Sequence, residues 1–152
     1  MKNKKYELTN ETIEFCGHTL HRIRALRDFG HIKKGDLGGF IENENNLSHG
    51  GDCWVYNDAK VYGNAWVYDD AIISGYAKIY DNSIISGFVR VYDYANIYES
   101  ARVSDYAKVS GNTKIYGNAI VFGDVSVCAS AEIFGKARVS GCADVGGNLK
   151  IG

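Results

Sequence analysis

The chain has 152 residues, with 17 basic and 18 acidic side chains, a formal net charge of −1 and 45% apolar residues. This length predicts one domain with its own hydrophobic core. The near-zero net charge argues against a strongly basic nucleic-acid binder and against a disordered acidic chain. The sequence shows neither a membrane-spanning run nor a secretion signal after Met1, so we expect a cytoplasmic protein.

The first predicted element is a β-hairpin. Two segments rich in strand-forming residues, 12–16 and 19–26, flank Gly17 and His18. This pattern is typical of two strands joined by a tight turn. We expect residues 1–36 to form a hairpin that caps the N-terminal end of the next element, because a repeat array needs a cover on its end.

A six-residue repeat then dominates the chain. Every sixth residue from Val55 to Ile151 is valine or isoleucine, and the residue four positions after each is mostly small, most often alanine. Glycine, asparagine and aspartate recur between these positions, and these residues accept the backbone angles of tight corners. Strands this short cannot bury a face alone, so the repeat predicts stacked coils. The repeat extends back to Leu37, although Asn43 and His49 interrupt it, and we expect a solenoid over residues 37–152.

The repeat resembles that of the hexapeptide-repeat family. That resemblance implies an all-β fold: a single-stranded parallel β-helix, left-handed, with three hexads per coil and about six coils here. The chain departs from the common family pattern, because Tyr, Ser or Phe usually follows the aliphatic residue where Gly or Asp is preferred. Many members are trimeric acyltransferases with a histidine base between subunits and loops that protrude from the coils.

With 18 residues per coil, residues 18 apart form columns along the rod. One outward column is aromatic and a neighbouring column carries lysines. In-register side chains of this kind stabilise neighbouring strands, and an exposed strip of aromatic and basic residues can also bind a partner. Both interpretations stay open, and the second makes this aromatic-basic face the candidate binding site: Tyr62, Tyr80, Tyr98, Tyr116, Phe134, Lys60, Lys78 and Lys114. A protein partner is favoured over nucleic acid or a glycan.

Two further features predict self-association. The repeat is still in phase at Val145, Leu149 and Ile151, so an uncovered coil would offer strand edges to a second copy. Trp66 lies at an outward position, where a lateral contact between subunits would cover it. We expect a homodimer, and the sequence leaves end-to-end and lateral contacts both open.

The sequence suggests no catalytic residue, no metal site and no cofactor. The four cysteines (Cys16, Cys53, Cys128 and Cys142) lack the CxxC and histidine spacings of zinc sites and predict no disulfide framework. Histidines occur only near the cap, at His18, His21, His31 and His49. His49 is the one candidate for a general base in the acyltransferase alternative.

The sequence therefore predicts a non-enzymatic β-solenoid module that binds a protein partner and self-associates. A hexapeptide-type acyltransferase is the main alternative. Segment 35–42 and Asn46-Leu47-Ser48, together with the repeat, also resemble short proteins of bacterial and prophage genomes. That resemblance adds a third hypothesis, a phage protein that binds and inhibits a host factor.

Overall fold

The N-terminal hairpin is confirmed. A computed structural model describes residues 3–152 of the chain. Strand β1 (Tyr6–Phe15) pairs antiparallel with β2 (His18–Ala25), and the turn residues Cys16 and Gly17 have φ of 51° and 83°. Strand β1 begins six residues earlier than the predicted segment 12–16, because the polar stretch after Tyr6 also pairs with β2 across a bulge.

The rest of the chain forms a parallel β-solenoid of three faces, which confirms the fold class. Strand β3 (Leu37–Ile41) and a short 3-10 helix (Glu44–Asn46) precede seventeen strands of two residues each. Face one contains β5 (Lys60–Val61), β8 (Lys78–Ile79), β11 (Asn96–Ile97), β14 (Lys114–Ile115), β17 (Glu132–Ile133) and β20 (Lys150–Ile151). Face two contains β6 (Trp66–Val67), β9 (Ile84–Ile85), β12 (Arg102–Val103), β15 (Ile120–Val121) and β18 (Arg138–Val139). Face three contains β4 (Trp54–Val55), β7 (Ile72–Ile73), β10 (Arg90–Val91), β13 (Lys108–Val109), β16 (Ser126–Val127) and β19 (Asp144–Val145).

Each strand pairs with the strands one coil above and below it. Ile97 pairs with Ile79 and with Ile115, so one coil takes 18 residues and the stack has about six coils. The aliphatic residues point inward; Val91 and Ala95, for example, are fully buried. The periodic valines and isoleucines are therefore the core. The left-handed sense that the resemblance implies stays a prediction.

The corners use left-handed backbone, as their composition predicts. Asp93 has φ 59° and Gly87 has φ 71°; a Cβ on Gly87 would lie 2.8 Å from the backbone nitrogen and oxygen of Asp105. The corner carboxylates also bind backbone. The Oδ2 atom of Asp93 accepts the N–H of Gly111 at 3.0 Å, one coil further on. Such contacts tie successive coils together at their corners.

The hairpin extends face one rather than lying flat across the end of the rod. The strand order is β1-β2-β3-β5, and β3 pairs antiparallel with β2 and parallel with β5. The end of the core is covered instead by Tyr6, Phe29 and Ile32, all buried, and Phe29 packs its ring against that of Trp54 at 5.2 Å. The segment 26–36, which leads from β2 to β3, is called the cap loop below.

The first coil is imperfect where the repeat is interrupted. Asn43 caps the 3-10 helix, and the fully buried Asn46 fills the gap. Asn46 accepts the backbone N–H groups of Glu42 and Asn43 and donates to the carbonyls of Gly63 and Ala65. One amide side chain thus satisfies backbone groups that a regular strand would have paired.

Candidate interaction surfaces

The aromatic column of face one forms a stacked ladder. Ring centroids of successive residues lie 5.0 to 5.4 Å apart, with interplanar angles of 3° to 12°, from Tyr62 through Tyr80, Tyr98 and Tyr116 to Phe134. The 18-residue spacing brings these rings into register. Because each inner ring is covered on both faces, the ladder presents ring edges and hydroxyls to its surroundings.

The hairpin covers the top of the ladder. Phe15 contacts the ring of Tyr62 edge-on at 5.8 Å and His18 lies 5.0 Å from it, so Tyr62 is only 5% exposed. Burial raises the pKa of Tyr62 and raises that of Tyr98 to about 12. The ladder hydroxyls therefore stay protonated at neutral pH.

The lysines beside the ladder differ in their surroundings. The amines of Lys60 and Lys78 lie 5.1 and 5.5 Å from the centre of the Phe15 ring, a cation–π arrangement. Lys114 is exposed. Further down, Glu132 accepts the hydroxyl of Tyr116 at 3.0 Å and pairs with Lys150 at 3.4 Å. Among the three lysines of the predicted binding face, Lys114 is thus exposed, whereas Lys60 and Lys78 are half-buried.

Face one also has an aromatic edge that the sequence reasoning missed. Tyr76 and Tyr94, at the corner before face one, stack at 5.1 Å and are 51% and 58% exposed. The same 18-residue spacing could have revealed this pair, since both residues occupy one column.

Face two is mixed. Trp66 is 44% exposed and stacks on Tyr68 at 4.1 Å. Arg102 lies in register between Ile84 and Ile120. The predicted lateral contact at Trp66 stays a prediction.

Face three carries a groove that the sequence reasoning did not identify. Below the cap loop lies a cavity of about 570 Å³, and a second of about 520 Å³ continues it down the rod. Phe88 and Arg90 line both. The upper part is also lined by Gly30, His31, Ile32, Asp52, Tyr56, Asn57, Asp70, Ile72 and Ser74, and the lower part by Tyr106, Lys108 and Asp124.

The last described coil has apolar residues at its edge. Strands β18, β19 and β20 each pair on one side only among residues 3–152. Leu149 is 50% exposed and Ile151 is partly buried, whereas Val145 is 3% exposed. The three residues proposed for self-association therefore lie together at this edge.

His49 has both ring nitrogens engaged. Nδ1 accepts the backbone N–H of Lys5 at 3.1 Å, so Nε2 carries the proton and donates to Glu44 at 2.7 Å. The ring stacks on Tyr6 at 4.2 Å. This donated hydrogen bond, helped by Lys4, lowers the pKa of Glu44. The geometry leaves His49 no free nitrogen to accept a proton as a general base, and it supports a structural role in the cap.

Lys5 and Cys53 form a buried pair in the cap. Both are fully buried, and the Lys5 amine lies 3.3 Å from the Cys53 sulfur and donates to the Cys53 carbonyl at 2.7 Å. The carbonyls of Gly50 and Gly51 lie 3.4 and 3.3 Å away. Burial lowers the pKa of Lys5 and raises that of Cys53. Lys5 therefore ties the start of β1 to the first coil.

No group of three or more metal-binding side chains is brought together within the described range 3–152. No helix in that range is long and apolar enough to cross a membrane.

Comparison with known proteins supports the interpretation of the six-residue repeat as a β-solenoid repeat. A family model described as YdcK beta solenoid repeat matches residues 114–128. This stretch includes β14 to β16, which together supply one strand to each face. The chain matches no curated protein. The repeat and the fold together place the chain among β-solenoid proteins.

Proposed function

We propose that the protein is a non-enzymatic interaction module that binds a protein partner through face one. The observation that carries the proposal is the stacked ladder from Tyr62 to Phe134, with the half-buried Lys78 and the exposed Lys114 beside it. Rigid aromatic side chains are enriched at protein interfaces.

The orientation of the rings favours protein over nucleic acid or glycan. Bases and sugars stack on free aromatic faces, and the inner rings of the ladder have both faces covered by neighbouring rings. The edges and hydroxyls that remain suit the apolar side chains, carbonyls and carboxylates of a protein surface.

Self-association is part of the same proposal. Val145, Leu149 and Ile151 would contact a second copy at the edge formed by β18 to β20, or Trp66 would do so laterally. Light scattering should then show a dimer, and Ile151→Lys should shift it toward monomer while the β-rich circular dichroism spectrum is kept. A monomer at high micromolar concentration would contradict association by either route.

A capture experiment tests the binding face. Immobilised protein is incubated with a bacterial lysate and the retained proteins are quantified by mass spectrometry. We expect Lys78→Glu combined with Lys114→Glu to lose a retained protein that the wild type holds. Lys136→Glu is the matched control, since Lys136 is exposed at a corner outside face one.

Two results would contradict the proposal. The first is retention of the same proteins by the face-one variant and the control. The second is saturable binding of coenzyme A in calorimetry that His49→Ala abolishes, which would support the acyltransferase alternative. If the retained protein is a host enzyme and its activity falls on binding, the result would support the third hypothesis, a phage protein that inhibits a host factor.

A further inference from the structure

The groove on face three contains two adjacent cations with no acidic partner. Arg90 and Lys108 lie opposite each other on the paired strands β10 and β13. Within residues 3–152, neither is in salt-bridge distance of a carboxylate. Like charges directly opposite on neighbouring strands destabilise a sheet.

Face one provides an internal comparison. Lys60 and Lys78 are likewise opposite each other, on β5 and β8. There the ring of Phe15 lies over both amines and offsets part of their repulsion. No aromatic ring lies over Arg90 or Lys108 in the described part of the chain. Within the described residues, Arg90 and Lys108 thus have neither a carboxylate in salt-bridge distance nor an aromatic ring over them.

The aromatic wall of the groove also favours an anion. Phe88 and Tyr106 stack at 5.3 Å with an interplanar angle of 5°, and they are 53% and 58% exposed. Stacked rings present their edges, and the edge of an aromatic ring is its electropositive part. The ring edges and the two cations therefore give the middle of the groove a positive potential.

Acidic residues limit the length of anion that fits. Asp52 and Asp70 line the upper part of the groove and Asp124 lines the lower part, so carboxylates lie on either side of the two cations. Asp70 and Asp124 are the nearer pair. They lie three coils apart, which is about 14 Å at ~4.8 Å per coil, or about four to five residues of extended chain. A nucleic acid carries phosphates along its whole length and would be repelled at both ends.

We propose that this groove binds an extended segment of a partner protein that has acidic residues at its centre and a basic residue on either side. The central carboxylates pair with Arg90 and Lys108, and the flanking basic residues face Asp70 and Asp124. This surface is separate from face one, so it goes beyond the function proposed above and can fail independently of it.

A nuclear magnetic resonance titration tests the proposal. The isotope-labelled protein is titrated with the peptide Lys-Ser-Glu-Ser-Glu-Ser-Lys, whose charged side chains share one face of an extended chain, and, as control, with Lys-Ser-Gln-Ser-Gln-Ser-Lys. We expect the acidic peptide to shift the amide signals of β10 and β13, with affinity at least about tenfold above that of the control. Arg90→Gln combined with Lys108→Gln should abolish these shifts, whereas Lys78→Gln combined with Lys114→Gln should keep them.

Stability gives a second readout that needs no ligand. Lys108→Ser introduces the residue found one coil further on, at Ser126, and it should raise the unfolding temperature because it removes one of two opposing cations. A lower unfolding temperature would overturn the argument from uncompensated charge. Equal binding of the two peptides, shifts confined to other faces, or tighter binding of oligothymidylate would overturn the proposed ligand.

Discussion

Two polar residues in the inward small column show how single side chains are tolerated in this core. Ser83 and Thr113 are both fully buried where alanine or valine is usual. The hydroxyl of Ser83 donates to the carbonyl of Tyr80 at 2.8 Å. The hydroxyl of Thr113 has no hydrogen-bond partner among residues 3–152. A buried hydroxyl without a partner lowers stability.

Thr113→Val should therefore stabilise the protein. Valine has nearly the shape of threonine, and Val89 and Val125 already occupy this column. Removing the unpaired hydroxyl should raise the free energy of unfolding by about 1 kcal/mol in denaturant titrations. Ser83→Ala is the matched control, and it should be neutral or destabilising because its hydroxyl is paired. A Thr113→Val variant less stable than the wild type would contradict the assignment of an unpaired hydroxyl.

Glu44 makes the stability of the cap depend on pH. Its folded-state pKa is lowered from 4.5, first by the hydrogen bond from His49 and then by Lys4. A lowered carboxyl pKa gives stability that is fully present above 4.5 and is lost as the pH falls through the folded-state value.

Glu44→Gln should be less stable than the wild type above the ordinary carboxyl pKa, by less than about 1 kcal/mol since the pair is partly exposed. The difference should shrink as the pH falls below 4.5 and through the folded-state pKa of Glu44. Denaturant unfolding across this range measures it. A difference that grows at low pH would contradict the assignment.

At the scale of elements, the cap is the least regular part of the molecule and depends on a few polar contacts. Lys5 reaches from the start of β1 to the carbonyls of Gly50, Gly51 and Cys53. Asn46 donates to the carbonyls of Gly63 and Ala65 and so joins the first coil to the next one. These contacts replace the regular pairing that the later coils have.

Lys5→Met should loosen the cap without unfolding the rod. Methionine can fill the space but leaves the carbonyls unpaired, at a cost of about 1–3 kcal/mol. Native-state hydrogen exchange should become faster in residues 47–56 and stay unchanged in residues 97–115. Lys4→Met is the control, because the exposed pair of Lys4 with Glu44 contributes about 0–1 kcal/mol. Equal acceleration in both variants, or in neither, would contradict the role given to Lys5.

The periodic parts of the fold could be predicted from the sequence. The groove and the buried contacts of the cap could not, because they are formed by segments without periodicity. The valine and isoleucine column, the ladder from Tyr62 to Phe134 and the hairpin around Gly17 follow from spacing alone, and all three are confirmed. The groove on face three is formed in part by the cap loop, which has no periodicity. The contact of Lys5 with Cys53 joins residues 48 positions apart and has no local signal.

At the scale of the whole molecule, acidic and basic side chains occupy different positions on the rod. Carboxylates occupy the corners, where Asp93 and Asp105 accept backbone N–H groups of the next coil. Cations occupy most of the charged mid-strand positions: Lys60, Lys78, Arg90, Arg102, Lys108, Lys114, Arg138 and Lys150. A net charge of −1 therefore conceals three faces with basic centres. This separation leaves Arg90, Lys108 and Lys114 without a carboxylate in salt-bridge distance among residues 3–152, so these three cations are free for binding.

The central claim is that inward columns hold the fold while outward cations are free for binding. A scan of single substitutions over residues 53–152, with resistance to a protease as readout, tests it most directly. We predict that Val91→Asp buries an unpaired charge and abolishes folding, with a loss above about 4 kcal/mol. Substitutions to Ser at Arg90, Lys108 and Lys114, and Asp93→Asn at a corner, should change stability by less than about 0.5 kcal/mol, apart from the small gain expected at Lys108. Losses at the outward cations as large as those at the inward valines would show that the cations serve the fold, and would contradict the account.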